Sequence, residues 1–275
     1  MLETAFNTQN LPAVNHVFGM RRSMHHPVIK QVVGWYEEAG VQASHVNDAY
    51  HGHLSVLFEQ TGRNYSVDDV LKKSEGSSVA IVSYEDLPYY RRHEAAAYAL
   101  PSTKDVVVVR DWFNLVASRL LMDAQANGRP RYALLDMLPW EGTAELWDEY
   151  SRLLANPGSS SLLVVNTNKW FVNEDYRREL ANQACLPHTD KYKERVTMHG
   201  DGSSFDGLEK DGAAHTMGVL TRWQDLPLAL LPDYRKVIHA FPDLAARNQE
   251  LFGLSIDTVL GDLALRNTSS DADFL

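Results

Sequence analysis

The sequence predicts an α/β protein in which a mainly parallel central sheet is flanked by helices. Short apolar runs alternate along the chain with segments whose apolar residues recur at helical spacing. This alternation favours a parallel sheet, because parallel strands need crossover connections that cover both faces. With 275 residues and 44% hydrophobic content, the chain can bury one large core. We expect one domain over residues 1–275, with a frayed polar tail at 267–275.

Four apolar runs are predicted to form strands, at residues 13–18, 79–82, 106–109 and 162–165. The run 106–109 is the strongest, because four consecutive valines resist a helix and suit a strand covered on both faces. Helical patterns follow at 113–124, 143–154 and 174–184. Ligands of such sheets bind beyond the carboxyl ends of the strands, so polar groups at 19–26, 83–86 and 110–111 are predicted to share one rim.

The turn after the first strand is predicted to bind an anion. Apolar residues at Val28, Val32, Val33 and Tyr36 place it at the start of a helix, where free N–H groups and the helix dipole favour negative charge. Pro27 suits the first helical turn, and Gly40 suits the end of the helix.

The plain alternative is that this turn forms a solvated charged surface. The nucleotide-triphosphate motif G-x-x-x-x-G-K-[ST] is not matched, since Met24 stands at its second glycine and no Lys-Ser or Lys-Thr follows. The sequence therefore disfavours hydrolysis of ATP or GTP.

Composition excludes several other classes. The formal net charge of −10 argues against general nucleic-acid binding, which needs a broad basic surface. The one cysteine, Cys185, excludes an intrachain disulfide, and with no paired Cys or His spacing we expect no metal site. No stretch reaches the ~20 apolar residues of a membrane span, and the first residues do not resemble a signal peptide. A cytoplasmic protein without membrane attachment is the simplest expectation.

A second anion-binding element is predicted where the valine run ends. Arg110 follows that run directly, and Ser118 lies eight residues later in the next helix. Arginine suits phosphate because its planar donors contact two oxygens at once. As an isolated pattern, this pair is weak evidence for a phosphate-binding site.

Together the two elements resemble the sulfotransferase superfamily that uses 3′-phosphoadenosine 5′-phosphosulfate (PAPS). In that family a first turn, often Pro-Lys-Ser-Gly-Thr-Thr, cradles the 5′-phosphosulfate, and a later Arg and Ser bind the 3′-phosphate. The turn is most similar to a bacterial branch that reads Gly-Met-Arg-Arg-Ser-Gly-Asn-His. The resemblance implies a P-loop type of fold, and it implies that PAPS is held by one set of residues: Arg21, Arg22, Ser23, Met24, His25, His26, Arg110 and Ser118.

Two further segments extend the resemblance. Residues 168–171 and 174–178 resemble that branch's passage from strand to helix, and residues 202–207 resemble its Gly-Ser-Ser-Phe loop. The resemblance implies that Ser203, Ser204 and Phe205 close over the nucleotide.

Three positions depart from the family pattern. Met24 replaces a glycine, and its Cβ is expected to oppose a left-handed backbone there. His25 replaces Asn or Thr and brings a side chain that can titrate near neutral pH. Arg22 stands where many relatives have lysine, and it is expected to stabilise developing charge rather than to donate a proton.

The reaction implied by the resemblance is in-line transfer of a sulfuryl group to a hydroxyl or amine, without a metal. The implied catalytic residues are Arg22, His26, Glu85 and Asp86, with Glu85 as the first choice for the base and Asp86 as the second. Both acids also suit a surface pair or a helix cap. The acceptor is expected to be a small molecule or glycan-like, bound by loops at 47–65, at 88–97 and after Asp225.

Two other functions stay open. A P-loop kinase is one, because residues 108–111 and 133–136 each resemble an apolar strand ending in a magnesium-binding Asp. A non-catalytic nucleotide-binding relative is the other. His51 and His53 are expected to be loop residues, since H-x-H alone does not make a metal site. The sequence predicts no oligomeric state.

Overall fold

The computed structural model of the chain describes residues 12–51, 64–127, 138–196, 205–206 and 208–270. Its strands are β1 (Ala13–Gly19), β2 (Ala43–His51), β3 (Val79–Glu85), β4 (Ser102–Val109) and β5 (Leu162–Asn166). Its α-helices are α1 (His25–Glu38), α2 (Val67–Lys73), α3 (Trp112–Asn127), α4 (Leu138–Ala155), α5 (Thr167–Val172), α6 (Glu174–Gln183), α7 (Leu231–Ala240), α8 (Pro242–Phe252) and α9 (Ile256–Ser270). Short 3₁₀ helices lie between several of these elements.

The strands form one parallel sheet in the order β2-β3-β1-β4-β5. Strand β1 lies at the centre, with β3 on one side and β4 on the other. The predicted α/β class with a parallel sheet is confirmed. Because the chain order reverses beside β1, the carboxyl end of β1 is the position where such sheets bind ligands.

The alternation of side chains along the strands divides the core into two layers. In β4, Val107 and Val109 pack into the larger layer, beneath α3, α4 and the C-terminal helices. Val106 and Val108 pack into the smaller layer, with α1 and α6. This two-sided burial explains why the predicted strands read as continuous apolar runs. Four of the five strands were predicted from those runs.

Strand β2 was not predicted, and the expected loop at 47–65 is wrong for residues 47–51, which belong to it. Its sequence mixes polar and apolar residues, and its register with β3 shifts between Val46 and Tyr50. Asp48 lies inside this irregularity with a left-handed φ of 49°. A β-bulge of this kind re-aims side chains and breaks the period that predicts a strand.

Other expectations about loops are corrected in the same way. His51 ends β2 rather than lying in a loop, and His53 lies outside the described residues. The stretch after Asp225 forms α7, α8 and α9 rather than a loop. Helix α9 extends to Ser270, within the segment 267–275 that was expected to fray. Among the described residues, no helix has the length and apolar character needed to cross a membrane.

Gly19 at the end of β1 should be intolerant of a side chain. A Cβ built on Gly19 would lie 2.6 Å from the Cβ of His25, the first residue of α1. We expect Gly19→Ala to lower the free energy of unfolding by about 1–3 kcal/mol, because the strand and the helix must move apart.

The matched control is Gly261→Ala in α9, where a Cβ meets no atom within 4 Å. There the same exchange should stabilise the protein by about 0.5–1 kcal/mol, because alanine favours a helix. Urea unfolding measures both variants. Equal effects of the two substitutions would contradict the close approach of β1 and α1.

Candidate active site

The predicted rim is formed at the carboxyl ends of the three central strands. Gly19 ends β1, Glu85 ends β3, and Arg110 follows β4 directly. Their neighbours in the pairing register are also aligned, since Gly19 pairs with Glu85 on one side and with Val108 on the other. The turn from β1 to α1 therefore lies between the two other groups that the sequence assigned to this rim.

The backbone of this turn is strained. Arg22 has φ 69°, and Met24, the residue before the first turn of α1, has φ 68° and ψ 22°. The expectation that the Met24 side chain opposes a left-handed backbone is wrong in outcome, because Met24 adopts that conformation. Its apolar side chain packs partly against the core layer that contains α1. A left-handed non-glycine residue costs about 1–2 kcal/mol, so the surrounding contacts must offset that cost.

Asp86 holds the turn from the β3 side. Its Oδ1 accepts the backbone N–H of Arg21 at 3.0 Å and also pairs with the guanidinium of Arg119. Its own N–H donates to the carbonyl oxygen of Gly19 at 3.0 Å. The Arg119 Nε also donates to the carbonyl oxygen of Arg21 at 3.2 Å. Asp86 is buried and its Oδ1 is engaged in both side-chain contacts, which suit a positioning role.

Glu85 faces the histidines at the start of α1. Its Oε1 lies 3.5 Å from the Nε2 of His25 and 4.0 Å from the Nε2 of His26. Its Oε2 accepts a hydrogen bond from the Nε of Arg21 at 3.2 Å. The structure thus brings together four residues that the sequence placed in two separate groups.

His25 lies beneath these groups, with its side chain 2% exposed. Burial lowers the pKa of His25, but the carboxylates of Asp48, Glu85 and Asp86 outweigh burial and raise this pKa above its ordinary value of 6.5. Asp48 is a site residue that the sequence did not predict, because it lies in the unpredicted strand β2.

Arg110 and Ser118 meet as their spacing predicted. The Nη1 of Arg110 donates to the Oγ of Ser118 and to the carbonyl oxygen of Arg22, both at 2.9 Å. Its Nη2 donates to the carbonyl oxygen of Val219 at 2.7 Å. Two of these acceptors are neutral carbonyls and one is a hydroxyl, so none of them compensates the charge of Arg110.

Two further cations lie near Arg110. Burial lowers the pKa of Arg110 to about 9 in spite of Asp111, with Arg222 and Arg22 acting in the same direction. Arg110 is 5% exposed and Arg222 is 3% exposed. Because three arginines within electrostatic reach repel one another, the cluster of Arg22, Arg110 and Arg222 favours a bound anion.

Two polar atoms near this cluster have no hydrogen-bond partner among the described residues. They are the Oγ of Ser23, in a side chain buried just before α1, and the Nε of Arg110. Buried polar atoms are normally paired, so each such atom needs an explanation. The first N–H groups of α1 lie beside Ser23 and lack intrahelical partners. Both atoms can donate a hydrogen bond, so each could contact an anion bound beside it.

The segment after α6 contributes one predicted residue. Phe205 lies under the guanidinium of Arg222, 4.6 Å from the ring centroid. Asp206 forms an ion pair with Arg222 at 2.7 Å. Ser203 and Ser204 lie outside the described residues. Arg222 itself was missed, because no motif marks it and it meets Arg110 only in the folded chain.

Asp111 does not fit the magnesium-binding role of the kinase alternative. It is 0% exposed, and its two oxygens accept hydrogen bonds from the backbone and side chain of Asn114 at 2.9–3.1 Å. Burial raises the pKa of Asp111. The carboxylate therefore caps the first turn of α3. Asp136, the second candidate for that role, lies outside the described residues.

Comparison with solved structures finds matches that include a mouse sulfotransferase. The mouse sulfotransferase SULT7A1 in complex with PAP superposes with a TM-score of 0.47 and 9% sequence identity, over 93% of this chain and 89% of that one. No protein-family model matches the sequence, and no curated protein matches it. At this level of similarity the comparison assigns neither an activity nor a ligand to this chain.

Asp123 on α3 is a buried acid near Arg21, Arg119 and Asp86 that the sequence did not single out. Burial raises its pKa from 3.8 to about 6, so the folded protein binds its proton more tightly than the unfolded chain does. The contribution of Asp123 to stability is greatest below pH 4 and is lost as the pH rises to about 6. We expect Asp123→Asn to be more stable than the parent at pH 7.5 by about 1–3 kcal/mol, and to depend less on pH between 4 and 6.

Urea unfolding at pH 4, 5, 6 and 7.5 measures this difference. Asp175→Asn is the control, because Asp175 is exposed on α6 and its pair with Arg178 should contribute less than about 1 kcal/mol. If Asp123→Asn lost stability equally at every pH, the raised pKa would be wrong.

Proposed function

We propose that this chain transfers a sulfuryl group from PAPS to a hydroxyl or amine of a small-molecule or glycan-like acceptor. The observation that carries the proposal is the cluster of Arg22, Arg110 and Arg222 beside the start of α1, at the switch point of the sheet. A nucleotide with phosphates at its 3′ and 5′ positions has two anions to place. The arginine cluster with Ser118 suits one, and the turn from Arg21 to His26 suits the other.

The turn is proposed to hold the 5′-phosphosulfate. Ser23 offers a buried hydroxyl that lacks a partner among the described residues, and the first turn of α1 offers N–H groups. Arg22 offers a guanidinium group, which would stabilise the charge that develops on the leaving phosphate. His26 would donate a hydrogen bond to the same group. Met24 and His25 contribute to the backbone and the floor of this cradle.

Glu85 is proposed as the general base, in preference to Asp86. The acceptor oxygen or nitrogen forms a bond to sulfur, the bond from sulfur to the bridging phosphate oxygen breaks, and the proton of the acceptor passes to Glu85. Asp86 is tied to Arg119 and to the backbone of Arg21, so it would act by positioning the turn. Arg21 and His25 keep Glu85 in place through their contacts with its two oxygens.

Binding of adenosine 3′,5′-bisphosphate tests the nucleotide site. A ligand that binds only the folded state at 100 times its Kd adds about 2.7 kcal/mol to the apparent stability. We expect a clear thermal shift in the parent, largely lost in Arg110→Ala and weakened in Ser118→Ala. The Ser118 variant removes only one hydroxyl, so it remains informative if Arg110→Ala fails to fold.

Arg178→Ala is the matched control, since Arg178 is an exposed arginine on α6 that pairs with Glu174 and Asp175. Its thermal shift should equal that of the parent. Absence of a shift in the parent would overturn both the cofactor and its site.

Turnover with labelled PAPS and a panel of hydroxyl and amine acceptors tests the reaction. We expect Glu85→Gln to lower kcat by about 10²–10⁴-fold with nucleotide affinity nearly unchanged, because a general base acts only on the chemical step. Glu179→Gln, on the exposed face of α6, should leave kcat unchanged. Full activity of Glu85→Gln would exclude Glu85 as the base. The assay is run in a chelator, in which a magnesium-dependent kinase would be inactive.

A further inference from the structure

Four side chains from three elements converge next to the turn. His25 and His26 begin α1, Asp48 lies in the bulge of β2, and Glu85 ends β3. One nitrogen or oxygen atom from each residue lies within 4.8 Å of every other. The sequence predicted no metal site here, because a search by spacing cannot join residues so far apart along the chain.

The distances between these atoms suit a four-coordinate metal ion. The Nε2 of His25 lies 3.5 Å from the Oε1 of Glu85 and 4.0 Å from the Oδ1 of Asp48. The Nε2 of His26 lies 4.0 Å from the same Glu85 oxygen. Ligands at about 2.0–2.2 Å from a tetrahedral zinc ion lie about 3.3–3.6 Å apart. The remaining pairs lie within 4.8 Å, so each atom would need to move inwards by about 1 Å or less.

Each carboxylate is already oriented by a second donor. The Oδ2 of Asp48 accepts a hydrogen bond from the Nδ2 of Asn47 at 2.7 Å, while the Oδ1 faces His25. The Oε2 of Glu85 accepts from the Nε of Arg21 at 3.2 Å, while the Oε1 faces both histidines. Partners of this kind fix the ligand atoms of metal sites in one orientation.

The buried nitrogen of His25 is an independent indication of a ligand. Its Nε2 is inaccessible to solvent and has no hydrogen-bond partner among the described residues. The oxygens that face it, at 3.5 and 4.0 Å, lie beyond the usual 2.7–3.2 Å. Gly19 leaves the space that this ring needs beside β1. An ion between this nitrogen and the two carboxylates would supply the partner that the nitrogen lacks.

Asp48, one of the four converging residues, has a strained backbone. Asp48 has φ 49°, and its N–H donates to the Oγ of Ser83 at 2.9 Å. The His45 ring contacts the same hydroxyl at 3.1 Å, which holds both sides of the bulge against β3. Strained residues cluster at sites that bind ligands, because the fold must maintain a conformation that costs free energy.

We propose that His25, His26, Asp48 and Glu85 bind a divalent transition-metal ion of the zinc type. Two neutral imidazoles and two carboxylates carry two negative charges, which match the ion, and imidazole favours zinc, cobalt and nickel over magnesium. Four protein ligands make a closed site, so the ion would tie α1 to β2 and β3. The proposal does not depend on sulfuryl transfer. An ion there would occupy the Oε1 of Glu85, the atom proposed to take the acceptor's proton, so it would block that step.

Direct metal binding tests the site. The full chain is stripped with a chelator, exchanged into chelator-free buffer, and titrated with Zn²⁺ and, separately, with Mg²⁺. Bound metal is measured by elemental analysis after dialysis, and stability is measured by thermal shift. We expect one equivalent of zinc and a raised melting temperature, with no shift from magnesium. Cobalt should give the intense visible spectrum of a tetrahedral ion.

Asp48→Asn and His26→Gln each change one ligand with little change in volume, and each should weaken zinc binding at least tenfold. His215→Gln is the matched control, because His215 is an exposed histidine that also pairs with a carboxylate, Glu194. It should bind zinc as the parent does. The bisphosphate thermal shift of Asp48→Asn, measured in chelator, reports separately on the nucleotide site and on the folding of that variant. The melting temperature in chelator without ligand reports on the folding of His26→Gln.

Three outcomes would overturn the proposal. One is the absence of zinc binding in the parent, and another is binding that His215→Gln removes while Asp48→Asn and His26→Gln retain it. The third is equal binding of magnesium, which would exclude the assigned ion type. None of these results bears on the arginine cluster, so the nucleotide site would be judged on its own titration.

Discussion

The turn between β1 and α1 is held in a strained conformation by buried charged side chains from other elements, and the arrangement of the site depends on this clamp. Arg110 and Arg119 donate to the carbonyl oxygens of Arg22 and Arg21, at 2.9 and 3.2 Å. Asp86 accepts the N–H of Arg21. Hydrogen bonds to charged groups contribute about 1.5–3 kcal/mol each, enough to offset about 1–2 kcal/mol for each left-handed residue in the turn.

The clamp also separates the charges of the site into two regions. Arg21 pairs with Glu85, in the region that contains Asp48 and the two histidines. Arg22, the next residue, lies on the side of Arg110 and adds to its positive surroundings. Adjacent residues therefore serve regions of opposite character: one has an excess of carboxylates and the other an excess of guanidinium groups. An anion is favoured in the second region, and a proton or a cation is favoured in the first.

The sequence predicted those parts of the fold whose signal is local. Strands β1, β3, β4 and β5 appear as apolar runs because they are covered on both faces, and the pair Arg110 and Ser118 appears because one helix follows one strand. Strand β2 was missed because its bulge breaks the alternation of side chains. Asp48, Arg119 and Arg222 were missed because the site residues that they approach, such as His25, Asp86 and Arg110, lie far from them in the sequence. Only the fold brings these residues together. His25 contacts Glu85 through the same kind of long-range packing.

Met24 shows why a comparison of motifs mispredicted the local geometry. A glycine at this position would reach φ 68° without strain, so its replacement suggested a different backbone. The conformation of the turn is instead set by long-range contacts: Arg110 and Arg119 hold its carbonyl groups, and Gly19 admits the His25 ring directly beneath it. Once these contacts fix both ends of the turn, the residue between them must adopt the remaining dihedral angles. The strain at Met24 is therefore a consequence of contacts elsewhere in the fold, and the turn keeps its left-handed conformation without the glycine.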